Sequence, residues 1–237
     1  MPNSLKNLVL TVNEERIDLN ELKNLKNLEY LQLIYYSPEI QPIEISSQLQ
    51  QFRIRTTLKK LTLSSWKLPD FVQVLDISGE IELIKDLYKF PSQLQDLILS
   101  HNNLRDLPTF PPTLKNLNLS TNKLGALTKL PVFPSSLEKL NIADDEISDE
   151  TLATSDLRHC TKLKSLDFSN NSDVNHLLLE CFPSSIKHLN VKDIPLQSIS
   201  GSFEDLPYLE FIELDSEVIS VHVMDQIPWD KYKLPWD

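Results

Sequence analysis

Glycine is scarce in this chain of 237 residues, and its three glycines, Gly79, Gly125 and Gly201, stand too far apart to form a phosphate-cradling loop. Cysteine is scarcer still. Cys160 and Cys181 cannot build a disulfide framework or a zinc site at Cys-pair spacing. Both sit beside apolar positions and read as plain buried thiols, with a disulfide or redox switch as the alternative. The five histidines, His101, His159, His176, His188 and His222, are scattered and form no HExxH pair. His159 and Cys160 are sequence neighbours, a placement that points side chains apart, and no orienting third group is evident. The acidic run Asp144-Asp-Glu-Ile-Ser-Asp-Glu150 lacks the alternating ligands and glycine of an EF-hand loop, so it reads as a solvated turn. Nothing here marks a catalytic centre, a metal site or a cofactor site, and a non-enzyme is expected.

Basic residues are outnumbered, 23 against 34 acidic, and the formal net charge of −11 repels a phosphate backbone. Generic nucleic-acid binding is therefore not expected. No apolar run reaches membrane length, and Met1-Pro-Asn-Ser-Leu-Lys lacks the basic and apolar regions of a signal peptide. A chain in the cytoplasm or nucleus, without membrane attachment, is the expectation. The sequons Asn118-Leu-Ser and Asn170-Asn-Ser are discounted, because so short a motif recurs by chance and Asn118 falls within an expected strand.

What the chain does have is repetition. Phe90-Pro-Ser-Gln-Leu94 returns as Phe110-Pro-Pro-Thr-Leu114, Phe133-Pro-Ser-Ser-Leu137 and Phe182-Pro-Ser-Ser-Ile186, each followed by LxxLxLxxN or a near relative. Starts at Leu94, Leu114, Leu137, Leu163, Ile186 and Leu209 lie 20 to 26 residues apart, and earlier units begin at Leu5 and Leu28. The pattern Leu114-Lys-Asn-Leu117-Asn-Leu119-Ser-Thr-Asn122 resembles the leucine-rich-repeat superfamily. Its FPxSLxxLxL style is similar to that of fungal and protist members and of bacterial secreted ubiquitin-ligase effectors. The resemblance implies an α/β solenoid, a curved horseshoe with a parallel β-sheet on its concave face. It also implies disulfide-bonded end caps for extracellular members, and no such cap is visible here.

Leucines at the first, fourth and sixth places point inward, and the third, fifth and seventh places point outward. The ninth-place Asn13, Asn102, Asn122 and Asn171, replaced once by Asp145, supply side chains that bond turn backbone. Proline before each strand favours extended chain and short 3-10 turns on the convex side. The longest unit differs: Ser148 through His159 opens with a capping residue and runs without Pro or Gly, as a short helix would.

Between residues 43 and 83 two registers compete. One uses Leu49, Phe52 and Ile54, then Val72, Leu75 and Ile77; the other uses Leu58, Leu61 and Leu63 and is favoured, because Leu63-Ser-Ser-Trp-Lys-Leu68 copies Leu119-Ser-Thr-Asn-Lys-Leu124. The reading is one domain over 1–237 with about 9–10 repeats and a cap or tail over 215–237. Its opening inside a repeat favours a fragment of a longer protein, a covering partner being the alternative. Val221-His-Val223 reads as a last strand, and Trp229 and Trp236 as part of a folded-back tail or as anchors for a partner.

The outward positions define the candidate partner-binding surface: Tyr30, Gln32, Asp96, Asn116, Asn118, Lys139, Asn141, Asp167, His188, Asn190 and Glu213, with Lys60, Thr62 and Ser64 from the favoured register. The column Asn118, Asn141, Asp167, Asn190 suits a peptide or protein surface, though ordinary solvent-facing residues look the same. Replacing Asn118 and Asn141 by Arg is expected to spare stability, since neither is a core leucine. The function read from this is a protein-interaction scaffold or substrate-recognition module. Alternatives are a regulatory subunit of an enzyme such as a phosphatase, or a wall of a larger complex. An F-box-type ubiquitin-ligase receptor would need a helical segment not visible in this chain.

Overall fold

In the computed structural model the chain forms two compact units, Met1–Leu114 and Lys115–Asp237. The structure describes residues 4–13, 19–36, 44–45, 48–57, 68–81, 90–215 and 219–229.

The first unit is a parallel ladder of β1 (Asn7–Val12), β2 (Tyr30–Tyr35), β3 (Gln51–Thr56), β4 (Val74–Gly79) and β5 (Asp96–Ile98) in sequence order. Asn7 pairs with Tyr30, Tyr30 with Gln51, Gln51 with Val74 and Val74 with Asp96. Each repeat thus lies on the next without slippage. Leu31, Leu33, Phe52, Ile54, Leu75 and Ile77 are completely buried, while the residues between them face out, as the two-residue period of a strand requires.

That ladder overturns the favoured register between residues 43 and 83. Leu49 and Val72 open the repeats, and β3 hydrogen-bonds β2 on one side and β4 on the other, so no further strand fits between β3 and β4. Leu58, Leu61 and Leu63, with Lys60, Thr62 and Ser64, lie outside the described residues. A local match to the repeat lost to a pairing condition: a buried strand needs hydrogen-bonded neighbours on both sides.

The second unit carries β6 (Asn116–Asn118), β7 (Lys139–Asn141), β8 (Ser165–Asp167), β10 (His188–Asn190) and β12 (Phe211–Glu213) in one parallel ladder. A separate two-stranded ladder pairs β9 (His176–Leu178) with β11 (Ser198–Ser200). The FPxxL segments share one conformation, in which the fifth-place N–H donates to the Pro carbonyl. It recurs at Leu94 to Pro91 (3.1 Å), Leu114 to Pro111 (3.2 Å), Leu137 to Pro134 (3.0 Å) and Ile186 to Pro183 (3.2 Å). This β-turn aims the chain into each strand, and the preceding Phe90, Phe133 and Phe182 are buried. Within the first unit Phe90 stacks on Phe110, and within the second Phe182 meets Phe168 edge-on.

After β5, β6, β7, β8 and β10 the eighth-place residue is left-handed: His101, Thr121, Asp144, Asn170 and Asp193 all have φ between 55° and 61°. The ninth-place side chain then turns into the core. Asn102 donates through Nδ2 to Ile77 O at 2.9 Å and Leu99 O at 2.8 Å, and Asn171 to Ile142 O at 3.1 Å and Phe168 O at 2.8 Å. Asn13, by contrast, remains exposed.

Short 3-10 segments occupy Leu19–Asn24, Leu124–Ala126, Leu179–Cys181 and Phe203–Asp205, as the prolines imply. The expected helix is α1 (Asp149–Thr154); Ser148 caps it by accepting from Thr151 N, and Asp149 and Glu150 sit in its first turn, where the helix dipole favours them. Val221-His-Val223 is not a strand. Ser220 accepts from Val223 N at 3.4 Å and starts α2 (Val221–Met224), to which Trp229 returns by donating Nε1–H to Met224 O at 2.9 Å. Trp236 lies outside the described residues.

Candidate functional site

In the first unit, Tyr30 and Gln32 project from β2 half-buried, and the Tyr30 hydroxyl donates to Gln32 Oε1 at 2.7 Å. Arg53 of β3 stands beside them in register with Gln32, its Nε 3.8 Å from Asp76 Oδ2 on β4. Burial pushes the Asp76 carboxyl up, against the opposing pull of Arg53 and Arg55. Asp96 is half-buried at the start of β5. Arg53, Arg55 and Asp76 were missed in the sequence because the Leu58 register was favoured; the nearly even spacing of Leu28, Leu49, Val72 and Leu94 was the signal that could have found them.

In the second unit the fifth-place column is real and has a local cause. Asn118 Oδ1 accepts from Ser120 N at 3.0 Å, Asn141 Oδ1 from Ala143 N at 3.0 Å, Asp167 Oδ1 from Ser169 N at 3.2 Å, and Asn190 Oδ1 from Lys192 N at 3.2 Å. Each is an Asx-turn that engages the N–H two residues on and closes a strand of three residues. Polar residues that the sequence left open between a partner surface and ordinary solvent-facing positions therefore shape the strand ends. The Nδ2 of Asn118 and Asn141 and the Oδ2 of Asp167 have no hydrogen-bond partner among the described residues.

Around this column, Asn116 is half-buried and Lys139 is exposed. His188 is exposed and lies against the ring of Phe211, centroids 6.0 Å apart and tilted by 51°. Glu213 binds Lys192 at 2.7 Å; this hydrogen bond and charge raise the Lys192 pKa. The second unit thus brings together Asn116, Asn118, Lys139, Asn141, Asp167, His188, Asn190 and Glu213 on one ladder, and the first unit places Tyr30, Gln32 and Asp96 on its own.

Two constellations outside these faces bear on chemistry. His159 and Cys160 do meet, Nε2 to Sγ at 3.5 Å, contrary to the separation expected of sequence neighbours. The His159 ring nitrogens lie 2.8 Å from Asp156 O and 2.7 Å from Phe133 O, which leaves neither facing only the thiol. Burial pushes the Cys160 thiol up to about 11, the reverse of an activated nucleophile. Cys181 is half-buried, and both thiols are free.

Asp149 Oδ2 meets His176 Nδ1 at 2.7 Å. Burial opposes its charge, but hydrogen bonds from His176 and Asn175 hold this carboxyl below its usual range. Ser198, opposite His176 in the ladder, makes no hydrogen bond to it among the described residues. Also among the described residues, no group of three or more His, Cys, Asp or Glu is arranged to hold a metal, and no helix is long and apolar enough to cross a membrane.

No protein-family model matches the chain, and no curated protein matches it. Solved structures do. An internalin (inlF) of Listeria monocytogenes is 19% identical with a TM-score of 0.61, and the match covers 90% of this chain and 62% of that one. The mouse RP105/MD-1 complex contains a chain 18% identical with a TM-score of 0.55, the match covering 89% of this chain and 42% of the other. The protein therefore spans less than two thirds of the length of either structure. At such identities the likeness speaks to fold alone, and together with the stacked parallel strands it makes this chain a leucine-rich-repeat solenoid.

Proposed function

We propose that this chain is a non-catalytic protein-binding module that receives a partner polypeptide on the outward face of its strands. The observation that carries the reading is the Asx column of the second unit. Each side chain is held by its own turn bond through Oδ1, while Asn118 and Asn141 keep an amide donor, and Asp167 a carboxylate oxygen, without a partner among the described residues. Donors and acceptors already fixed in place lose little freedom on binding, so more of the interaction energy remains as affinity. Strand spacing of about 4.8 Å sets them at intervals that an extended peptide or an irregular protein surface can follow.

Lys139 and His188 add exposed side chains beside the column, and the His188–Phe211 pair adds aromatic surface of the kind that anchors interfaces. That the RP105/MD-1 structure is itself a complex supports the reading only by analogy of fold. The intracellular placement read from the sequence belongs to this proposal, as do substrate recognition for a ubiquitin ligase and membership of a larger complex.

The test is affinity capture from the source cells with the natural chain and with the double variant Lys139→Glu, His188→Glu, read by mass spectrometry. A partner retained by the natural chain and lost from the folded variant is expected. The same partners at the same abundance on both would remove this face from consideration.

A further inference from the structure

We infer that an open pocket at the C-terminal ends of β2, β3 and β4, within the first unit, binds the carboxylate of an acidic residue or chain end in a partner polypeptide. The inference rests on the protein-binding reading above and adds the chemistry of one recognition point. The pocket measures about 350 Å³; Ile34 and Tyr36 follow from β2, Arg55 and Thr57 from β3, Ser78 from β4, and His101 from the turn after β5.

Its charge runs against that of the chain. The whole sequence carries −11, yet among the described residues no Asp or Glu lines this pocket, and an arginine does. The two arginines of β3 are not equivalent. Arg53 lies 3.8 Å from Asp76, whereas Arg55 is exposed and makes no hydrogen bond or ion pair among the described residues, acting on Asp76 only through its field. An Arg55 guanidinium without a close counterion among the described residues presents the planar fork that carboxylates fill with two parallel hydrogen bonds. Hydroxyls of Tyr36, Thr57 and Ser78 supply further donors at the wall.

The wall is also held in place. A Cβ on Gly79 would stand 1.9 Å from Thr56 O, so β3 and β4 approach here more closely than any side chain at 79 permits. The Gly79 N–H donates to His101 O at 3.3 Å, which ties in the turn that carries the His101 ring.

The one arginine among the described lining residues, beside the apolar Ile34, matches a monoanion on a hydrocarbon arm, such as a Glu or Asp side chain or a C-terminus. A phosphoryl dianion would call for more than a single arginine. The volume is near the lower bound for small-molecule sites, about 300 Å³, and the pocket is open, so a free ligand would stay largely solvated there. A polypeptide gains the remaining contact from the adjoining strand face.

The experiment uses the full chain on arrays of nonapeptide pools with a fixed central Glu, Gln or phosphoserine, with and without inorganic phosphate as competitor. Arg55→Gln and Ser78→Trp are probed in parallel after thermal melts confirm that they fold; the first removes the charge and the second fills the space. Retention by Glu pools about tenfold above Gln pools, lost in both variants, is the expected result, equal to one charge-assisted contact. Equal retention on Glu and Gln pools overturns the carboxylate pocket and leaves the protein-binding reading standing. Preference for phosphoserine with displacement by inorganic phosphate overturns it in favour of a phosphate site. No retention on any pool overturns it as well, while the Lys139, His188 capture experiment decides the broader reading by itself.

Discussion

Asp145 accepts the backbone N–H of Asn122 through Oδ1 at 2.8 Å, while its other oxygen is fully buried with no hydrogen-bond partner among the described residues. At the same place in other repeats Asn102 and Asn171 use Nδ2–H to satisfy core carbonyls. A carboxylate has no such hydrogen, so the site favours the protonated acid, and burial, aided by Asp144 and Glu146, pushes the Asp145 pKa up to about 8. The folded pKa is raised above the unfolded value of about 3.9, so this group's contribution is full below pH 3.9 and is lost as pH rises through 8.

Asp145→Asn should therefore stabilise the protein increasingly as pH rises from 4 to 8, with little effect at pH 4. The natural chain should lose up to about 1.4 kcal/mol per pH unit between those limits relative to the variant. Denaturant melts of both at pH 5 and 9 check this, and parallel pH dependence would exclude a buried neutral Asp145.

Thr121 is the β-branched member of the left-handed eighth-place series, at φ 61°. Left-handed backbone disfavours a branched Cβ, and Asn tolerates it. Thr121→Asn is expected to raise stability by about 1 kcal/mol, since the Thr121 N–H to Ala143 O bond of 2.9 Å involves backbone alone. An unchanged or lowered midpoint in a urea melt would show that the Thr side chain has an unseen role.

Asn118→Arg and Asn141→Arg, expected from sequence to spare stability, should each cost about 1 kcal/mol, because each removes the acceptor of an Asx-turn. Asp in place of either Asn keeps the acceptor and should restore most of the loss. Thermal melts of the four single variants distinguish a turn from a merely solvated side chain.

Leu117→Ala tests the core. Leu117 is 2% exposed between Asn116 and Asn118, so truncation should leave a cavity and cost roughly 2 to 5 kcal/mol. The comparison with Asn118→Arg, one residue away on the opposite side of the strand, shows how sharply the two-residue period divides core from surface.

The sequence was enough for the repeat, the inward leucines, the ninth-place turn bonds of Asn102 and Asn171 and the capped helix at Ser148, because each depends on a few adjacent residues that recur in step. It also placed Asn118, Asn141, Asp167 and Asn190 in one column. Their Asx-turns were less legible, since an outward polar residue reads alike whether it meets its own backbone or solvent. Tertiary structure alone decided the register at β3, where Leu58, Leu61 and Leu63 matched the repeat better than Phe52 and Ile54. Strand choice there followed hydrogen bonding to β2 and β4, a condition involving residues more than twenty positions away. The meeting of Arg55, Ser78 and His101 around one pocket has the same origin: stacking sets side by side residues that no local pattern connects.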